Sequence, residues 1–569
     1  MPETKKSVKS LIPYEVPMFA EEYELKVDAN ENVFGCSDKV LDAIKNITKE
    51  QIATYPHYGN LTKKLAEYLN VDFEQIKVTN GADEALFALM QTYLDEGDKM
   101  LTVSPSFSMP KLYAEIVGGQ VVEIPYEKRW EFPLDGILNA IETDKAVKIV
   151  HLTSPNNPTG ECISTDIAKK ILEKAKDKLV IFDETYGSYC ENSMVSEVKN
   201  YDNLAVVKSF SKDFALAGLR IGYIITNPER VKILKTVISP YSVNTIAAIA
   251  AEAALSDLKH LEYVKKEVSK SKEILKNGLE KLGFTVFPSQ ANFVLFDAQN
   301  KAEWVYHTLL KNGIKIRKFS NMQGLIRITA PTCDNAKKII ELLQPQNTLI
   351  FDMDGVLVDV SNSYRTAVKL TYEHYAKKEL NYEIIAKAKA LGGLNNDWDL
   401  TEYLLKKENI NVDKQELIDV FEKFYFNDGK GLISQEKFLL NINLLKDFSK
   451  KYNVAIFTGR PREEAMFTLN LHGIANCFYP IITMDDLPAD KQKPNTLGIE
   501  KIKEKILFKD IFYFGDTKDD MICGANANAI PVGILPPQDK TDNYKSHLEQ
   551  NGAKFVLQDI NELLTVTER

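Results

Sequence analysis

Short β-branched runs alternate along this chain with longer stretches that carry a helical period. "VKIVHLT" (147–153), "KLVIFDE" (178–184) and "NLAVVKSF" (203–210) are three of these runs. Such alternation joins strands through crossover helices, so the fold class is α/β with largely parallel sheets. It also directs attention to the carboxyl ends of the strands, where α/β proteins place their ligands.

The chain has 569 residues, more than one ordinary domain holds. A helical pattern, "DNAKKIIELL" (334–343), is broken by "QPQN" (344–347), and a new apolar run starts at Thr348. We divide the sequence there: a first domain over 1–344, a linker at 345–347 and a second domain over 348–569. Residues of about 360–450 are mainly helical in pattern and separate the first strand of the second domain from its later elements, as an inserted cap would. The amphipathic, lysine-rich stretch 262–282 reads as a solvated helix.

Hydrophobic residues make up 44% and charged residues 27%, ordinary for a soluble globular protein. The net charge of −9 argues against nucleic acid and anionic membranes as partners. Six dispersed cysteines (Cys36, Cys162, Cys190, Cys333, Cys477, Cys523) fit reduced thiols rather than disulfides or a zinc site, and the seven histidines form no cluster. "MPETKKSVKS" lacks the apolar core of a signal peptide, and no run is long and apolar enough to span a bilayer. The expectation is a cytoplasmic protein acting on small molecules.

Four segments of the first domain carry chemistry. In "SFSKDFALAGLRIGY" (209–223), Lys212 lies among Ser209, Ser211 and Arg220, whose hydroxyl and guanidinium donors suit a phosphate. "VIFDETY" (180–186) ends a buried strand with Asp183, followed by Tyr186. A carboxylate there, beside a pyridine ring, would keep the ring nitrogen protonated. "SPNNPTG" (154–160) sets Asn157 on a proline-bounded turn. "TNGADEALFAL" (79–89) is a glycine turn entering a helix, whose free N–H groups suit a phosphate.

Together these segments resemble the fold-type I pyridoxal-phosphate aminotransferases. The resemblance implies that Lys212 carries the cofactor and moves the substrate proton, that Asp183 pairs with the ring nitrogen, and that Tyr186 and Asn157 bond the ring hydroxyl. It also implies that Gly81, Ala82, Asp83, Ser209, Ser211 and Arg220 hold the phosphate region, that Phe107 stacks on the ring, and that Arg327 in "LIRITA" takes an anionic substrate group. "PYEVP" (13–17), "KVDANENVFGCS" (26–37), "YPHYGN" (55–60) and "GIKIRKF" (313–319) look like histidinol-phosphate aminotransferases. In that family Tyr55 reaches the cofactor phosphate of a neighbouring subunit, implying a homodimer, and Tyr14, Asn30 and Arg317 join Arg327 on the substrate side. After Arg327 the sequence departs from that family, reading "ITAPTCDN". A phosphorylated amino acid decarboxylase shares the same framework and stays open.

The second domain opens on "TLIFDMDGVLVD" (348–359). An EF-hand loop has its glycine at position six, and Gly355 stands fourth from Asp352, so a calcium loop does not fit. The downstream sequence supplies partners. "VAIFTGRP" (454–461) ends an apolar run at Thr458, "DKQKPN" (490–495) holds Lys493, and "IFYFGDTKDDM" (511–521) delivers Asp516 and Asp520. Parallel strands would bring these groups to one edge, and clustered carboxylates call for a cation, Mg²⁺ when only oxygen ligands are on offer. This ordered set resembles the haloacid-dehalogenase superfamily, a Rossmann-like hydrolase fold. The resemblance implies that Asp352 is the nucleophile and Asp354 the acid–base group. Thr458 and Lys493 would hold the phosphoryl oxygens, with Asp352, Asp354, Asp516 and Asp520 around Mg²⁺. "GGLNNDWDL" (392–400), in the cap, is a candidate for substrate selection.

The expectation is a bifunctional enzyme: transamination between imidazole-acetol phosphate and glutamate, followed by hydrolysis of a phosphate ester such as histidinol phosphate. The alternative is a decarboxylase or aminotransferase for another phosphorylated amine, fused to a phosphatase of unrelated specificity.

Overall fold

The computed structural model describes residues 3–13, 22–126, 130–389 and 396–568. The chain forms two compact units, one of residues 1–302 with 313–342 and the other of 303–312 with 343–569. Among the described residues, no helix is long and apolar enough to cross a membrane.

The first unit is built on a seven-stranded sheet. From one edge its strands run Ile76–Thr79, Gly222–Thr226, Leu204–Ser209, Leu179–Asp183, Val147–Thr153, Lys99–Ser104 and Gln120–Pro125. All neighbouring pairs are parallel except those made by Gly222–Thr226. The pleat explains why the central strands carry apolar residues towards both faces. In Leu179–Asp183, Val180 and Phe182 enter one packed layer while Leu179 and Ile181 enter the layer on the opposite face. A smaller antiparallel sheet follows, ordered Arg317–Lys318, Leu325–Thr329, Phe293–Asp297 and Thr285–Val286. The lysine-rich stretch is one helix, Leu258–Lys281, which buries Leu261, Val264, Val268, Leu275 and Leu279 and leaves most of its lysines to solvent.

One expectation about the cysteines is corrected. Cys162 and Cys190 form a disulfide, with Cα atoms 6.7 Å apart. They lie 28 residues apart in sequence, but each follows one of two neighbouring parallel strands, Val147–Thr153 and Leu179–Asp183, so the fold brings their loops together. Cys36, Cys333, Cys477 and Cys523 are free thiols.

The second unit holds a six-stranded parallel sheet ordered Ile481–Ile482, Asn453–Phe457, Gln346–Phe351, Phe508–Gly515, Ile530–Ile534 and Phe555–Leu557. At its centre Phe351 stacks on Phe514, ring centroids 4.8 Å apart. The first strand starts at Gln346, which pairs with Phe508, so residues 346 and 347 are strand rather than linker. The unit also takes in residues 303–312, where the buried indole of Trp304 donates to Asn453 Oδ1 at 2.8 Å. The chain leaves and re-enters the sheet through an antiparallel neck, Val358–Asp359 against Lys437–Phe438. Between these strands stand the helices Tyr364–Ala376, Tyr382–Lys389, Asp397–Lys407 and Lys414–Tyr425, with a core of their own around Val368, Leu404 and Phe421. The cap therefore closes at 436 rather than near 450. Helix Ile442–Phe448 gives Leu445 and Phe448 to the core that contains Leu349 and Phe351. Of the segment 392–400, only residues 396–400 lie among those described, and there Asn396 caps helix Asp397–Lys407.

Candidate active sites

Three adjacent parallel strands of the first unit end side by side, at Thr153, Asp183 and Ser209. Asp183 is buried, and its Oδ1 accepts from the backbone N–H and hydroxyl of Thr185 at 3.0 and 2.7 Å. Burial raises its pKa to about 6, and no cation pairs with it among the described residues. Tyr186, also buried, accepts at its hydroxyl from Asn30 Nδ2 at 2.9 Å. Asn30 is in a left-handed conformation, φ 56°, and its backbone N–H donates to Thr329 Oγ1 at 3.0 Å. That bond ties the loop of Asn30 to the strand that carries Arg327. The guanidinium of Arg327 donates to Asn157 Oδ1 and to the carbonyl of Asp28. Arg317 stands opposite Arg327 in the antiparallel register and is exposed.

Lys212 points into this group. Its Nζ donates to the carbonyl of Ala29 at 2.9 Å and lies 6.0 Å from the centre of the Tyr186 ring. Burial, and then the charge of Arg327, lower its pKa to about 8.

The elements expected to hold a phosphate meet beside it. Ser209 and Ser211 share a hydrogen bond of 2.9 Å between their hydroxyls. Arg220 donates to Asp83 Oδ2 at 2.7 Å. The N-terminus of helix Gly81–Tyr93 presses against the strand beginning at Gly222. A Cβ on Gly222 would stand 2.7 Å from the carbonyl carbon of Gly81 and 2.8 Å from the nitrogen of Ala82, which only glycine avoids. Phe107 is half-buried on the loop after Lys99–Ser104. Tyr55 is 71% exposed, with its ring stacked on Tyr241 at 4.4 Å. Tyr14 lies outside the described residues.

The donor set fits pyridoxal phosphate. A buried carboxylate without a cation matches a protonated ring nitrogen, the free N–H groups of a helix start match a phosphate, and an amine of lowered pKa matches the aldehyde.

In the second unit, the strands ending at Phe351, Phe457 and Gly515 deliver Asp352, Thr458 and Asp516 to one edge. Lys493 Nζ lies 2.7 Å from Asp352 Oδ1 and 2.8 Å from Asp520 Oδ1. Asp520 also accepts from the hydroxyl of Tyr513 at 2.7 Å and from the hydroxyl of Thr517 at 2.6 Å. Burial raises the pKa of Asp352 to about 7; Lys493 opposes this shift, while Asp520 and Asp354 add to it. Thr458 is buried, and its hydroxyl accepts from the backbone N–H of Arg460 at 3.2 Å. One carboxylate oxygen from each of Asp352, Asp516 and Asp520 lies within 4.8 Å of the others, a set of hard oxygen ligands that fits Mg²⁺. The carboxylate of Asp354 stands elsewhere. Its Oδ1 receives Arg460 Nε at 2.6 Å, so three of the four acids expected around the metal come together and the fourth is held by an arginine.

Arg460, which lies within "TGRP", is a residue that the sequence reading passed over. It is 1% exposed and also contacts Glu436 and Thr468, with the ring of Tyr364 beneath it at 5.1 Å. An arginine three residues beyond a buried strand end is the only sequence signal for it.

Residues 23–343 match the family Aminotransferase class I and II, and the chain belongs to that family. Residues 349–534 match Haloacid dehalogenase-like hydrolase, so one polypeptide joins two enzyme types. Over the first part the chain is similar to the histidinol-phosphate aminotransferase of Caldanaerobacter subterraneus subsp. tengcongensis. The two are 34% identical over 346 residues, 60% of this chain and 97% of that protein. Among solved structures, the histidinol-phosphate aminotransferase from Clostridium acetobutylicum aligns with a TM-score of 0.52 and 28% identity, covering 56% of this chain and 98% of its own. The enzyme from Sinorhizobium meliloti, solved with pyridoxal-5'-phosphate, shares the fold at a TM-score of 0.52 and 23% identity, over 56% of this chain and 90% of its own.

Proposed function

We propose that the first site transaminates imidazole-acetol phosphate with glutamate, giving histidinol phosphate, and that the second site hydrolyses the phosphate ester of that product. The observation that carries the reading is the pairing itself. The relatives of the first half are named for a phosphate monoester, and the same chain carries a second site arranged for phosphate esters.

In the first site pyridoxal phosphate supplies the electron sink when bound. Asp183 would pair with the ring nitrogen and keep it protonated. Tyr186 and Asn157 would orient the ring through its hydroxyl, Phe107 would stack on it, and Lys212 would hold the cofactor and then move the proton at the substrate's α-carbon. Arg327 would take the anionic group of the substrate, with Arg317 and Asn30 on the substrate side and Tyr14 at its phosphate. Tyr55, exposed on its own protomer, serves the cofactor phosphate of a partner, so the working form is a homodimer.

In the second site Asp352 attacks phosphorus, and the ester oxygen departs with the proton of Asp354. Asp354 then takes a proton from the water that cleaves the phosphoryl group from Asp352 as inorganic phosphate. Thr458 and Lys493 hold the phosphoryl oxygens, and Asp352, Asp516 and Asp520 would hold Mg²⁺, which offsets charge on the transferring group.

The test is a coupled assay on purified protein with pyridoxal phosphate and Mg²⁺, given imidazole-acetol phosphate and glutamate. The reading expects 2-oxoglutarate, histidinol and inorganic phosphate in equal amounts. Release of CO₂ in place of 2-oxoglutarate would make the first half a decarboxylase. Phosphate released from other esters but not from histidinol phosphate would sever the two halves.

A further inference from the structure

We propose that Arg460 is the positioning residue of the second site, fixing Asp354 for proton transfer to the leaving oxygen and tying that carboxylate to the neck of the cap. The inference rests on the phosphoester-hydrolase reading of this site. It starts from an imbalance: a fully buried arginine is costly unless every face of its guanidinium is engaged. Nε donates to Oδ1 of Asp354 at 2.6 Å, and Nη2, which has no hydrogen-bond partner among the described residues, lies 2.6 Å from the same oxygen as an ion pair. Nη1 lies 2.9 Å from Glu436 Oε2 and 3.1 Å from Thr468 Oγ1, and Tyr364 covers the guanidinium plane.

Two consequences follow from that geometry. Because Arg460 takes only Oδ1, Oδ2 is the oxygen of Asp354 that can carry the proton. Its direction is set because the planar fork of arginine cannot rotate while its other arms are held. The second consequence concerns the cap. Glu436 immediately precedes the strand Lys437–Phe438 by which the chain returns, and it also accepts from Ser363 and Tyr425 at 2.7 and 3.0 Å. Ser363 and Tyr364 begin the first cap helix. Asp354, Arg460, Glu436 and Ser363 thus form one polar chain from the reaction edge to the returning strand of the neck and the start of the first cap helix. A lysine in place of Arg460, a single point charge, could not hold these partners at once.

The experiment compares two phosphate esters in wild-type protein and in Arg460→Ala. One is a primary alkyl phosphate, whose alkoxide must be protonated to leave. The other is p-nitrophenyl phosphate, whose phenolate leaves unaided. The quantity read is kcat/KM, which reports steps only through departure of the alcohol. Loss of an oriented general acid should lower kcat/KM for the alkyl ester by on the order of a hundredfold, and for the aryl ester by less than about fivefold. Equal losses on both esters, or no loss on either, would overturn the positioning role. If wild type hydrolyses neither ester, the hydrolase reading itself falls. Unfolding is checked by thermal melts and by transamination on the same sample. Should Arg460→Ala not fold, Glu436→Gln, which loosens the same guanidinium from the far side, is measured in the same way and must show the same skew.

Discussion

Gly355 is where it is because of Asp516: a Cβ on Gly355 would run into the Asp516 carboxylate, and Gly355 already sits at φ 75°. The turn after Asp352 and the end of strand Phe508–Gly515 therefore close on each other through the absence of one side chain. Gly355→Ala would push Asp516 out of the group it forms with Asp352 and Asp520. Phosphate release should fall by more than about a hundredfold, with transamination unchanged, since a displaced ligand costs far more than its own hydrogen bonds. The check is the ratio of the two activities in one preparation.

The nucleophile of each site should be separable. Asp352→Asn removes the attacking oxygen and should abolish phosphate release while leaving transamination at the wild-type rate. Lys212→Ala should do the reverse, and it should also lose the visible absorbance of bound pyridoxal phosphate after dialysis. Loss of both activities by either folded variant would contradict the assignment of two sites.

Metal removal should divide the activities along the same line. Asp352, Asp516 and Asp520 crowd three carboxylates within 4.8 Å, an arrangement that a divalent cation stabilises. Treatment with EDTA should silence phosphate release and spare transamination, and Mg²⁺ should restore the lost activity. Phosphate release that survives exhaustive chelation would argue against metal-dependent hydrolysis.

The parts of both sites that are legible in the sequence are those that lie at strand ends. Asp183, Ser209, Asp352, Thr458 and Asp516 each close an apolar run, so the fold class alone brings them to an edge. Arg460 escaped because its meaning lies in Asp354 and Glu436, 106 and 24 residues away. The Cys162–Cys190 bond and the Trp304–Asn453 contact escaped for the same reason: each depends on which strands become neighbours, not on any local pattern. The end of the cap was misjudged because helix Ile442–Phe448 has the same period as the cap helices and differs only in what it packs against.

If Lys212 carries the cofactor, its lowered pKa should set the pH at which the apoprotein takes up pyridoxal phosphate. Only the neutral amine attacks an aldehyde, and burial together with Arg327 brings the amine's pKa down to about 8 from the usual range above 10. The rate of recombination with pyridoxal phosphate should climb through an inflection near pH 8. In Arg327→Gln one of the two causes is gone, and the inflection should move to higher pH. Stopped-flow absorbance reads both, and an unmoved inflection would remove Arg327 from the account.

His151 makes the first unit sensitive to acid. It lies inside the sheet on strand Val147–Thr153, and neither ring nitrogen has a hydrogen-bond partner among the described residues. Burial lowers its pKa to about 4, against 6.5 for a free imidazole. The sign follows from which state takes the proton. Between pH 6.5 and 4 the unfolded chain is protonated at this position and the folded chain is not, so stability is intact above 6.5 and falls as pH drops towards 4. The loss from this one group approaches about 3 kcal/mol. His151→Leu keeps the volume and removes the titration. Its unfolding free energy in urea should match or exceed wild type at pH 7 and should gain on wild type steadily down to pH 4. Parallel curves across that interval would mean that His151 finds a partner or water in solution and does not carry the acid sensitivity.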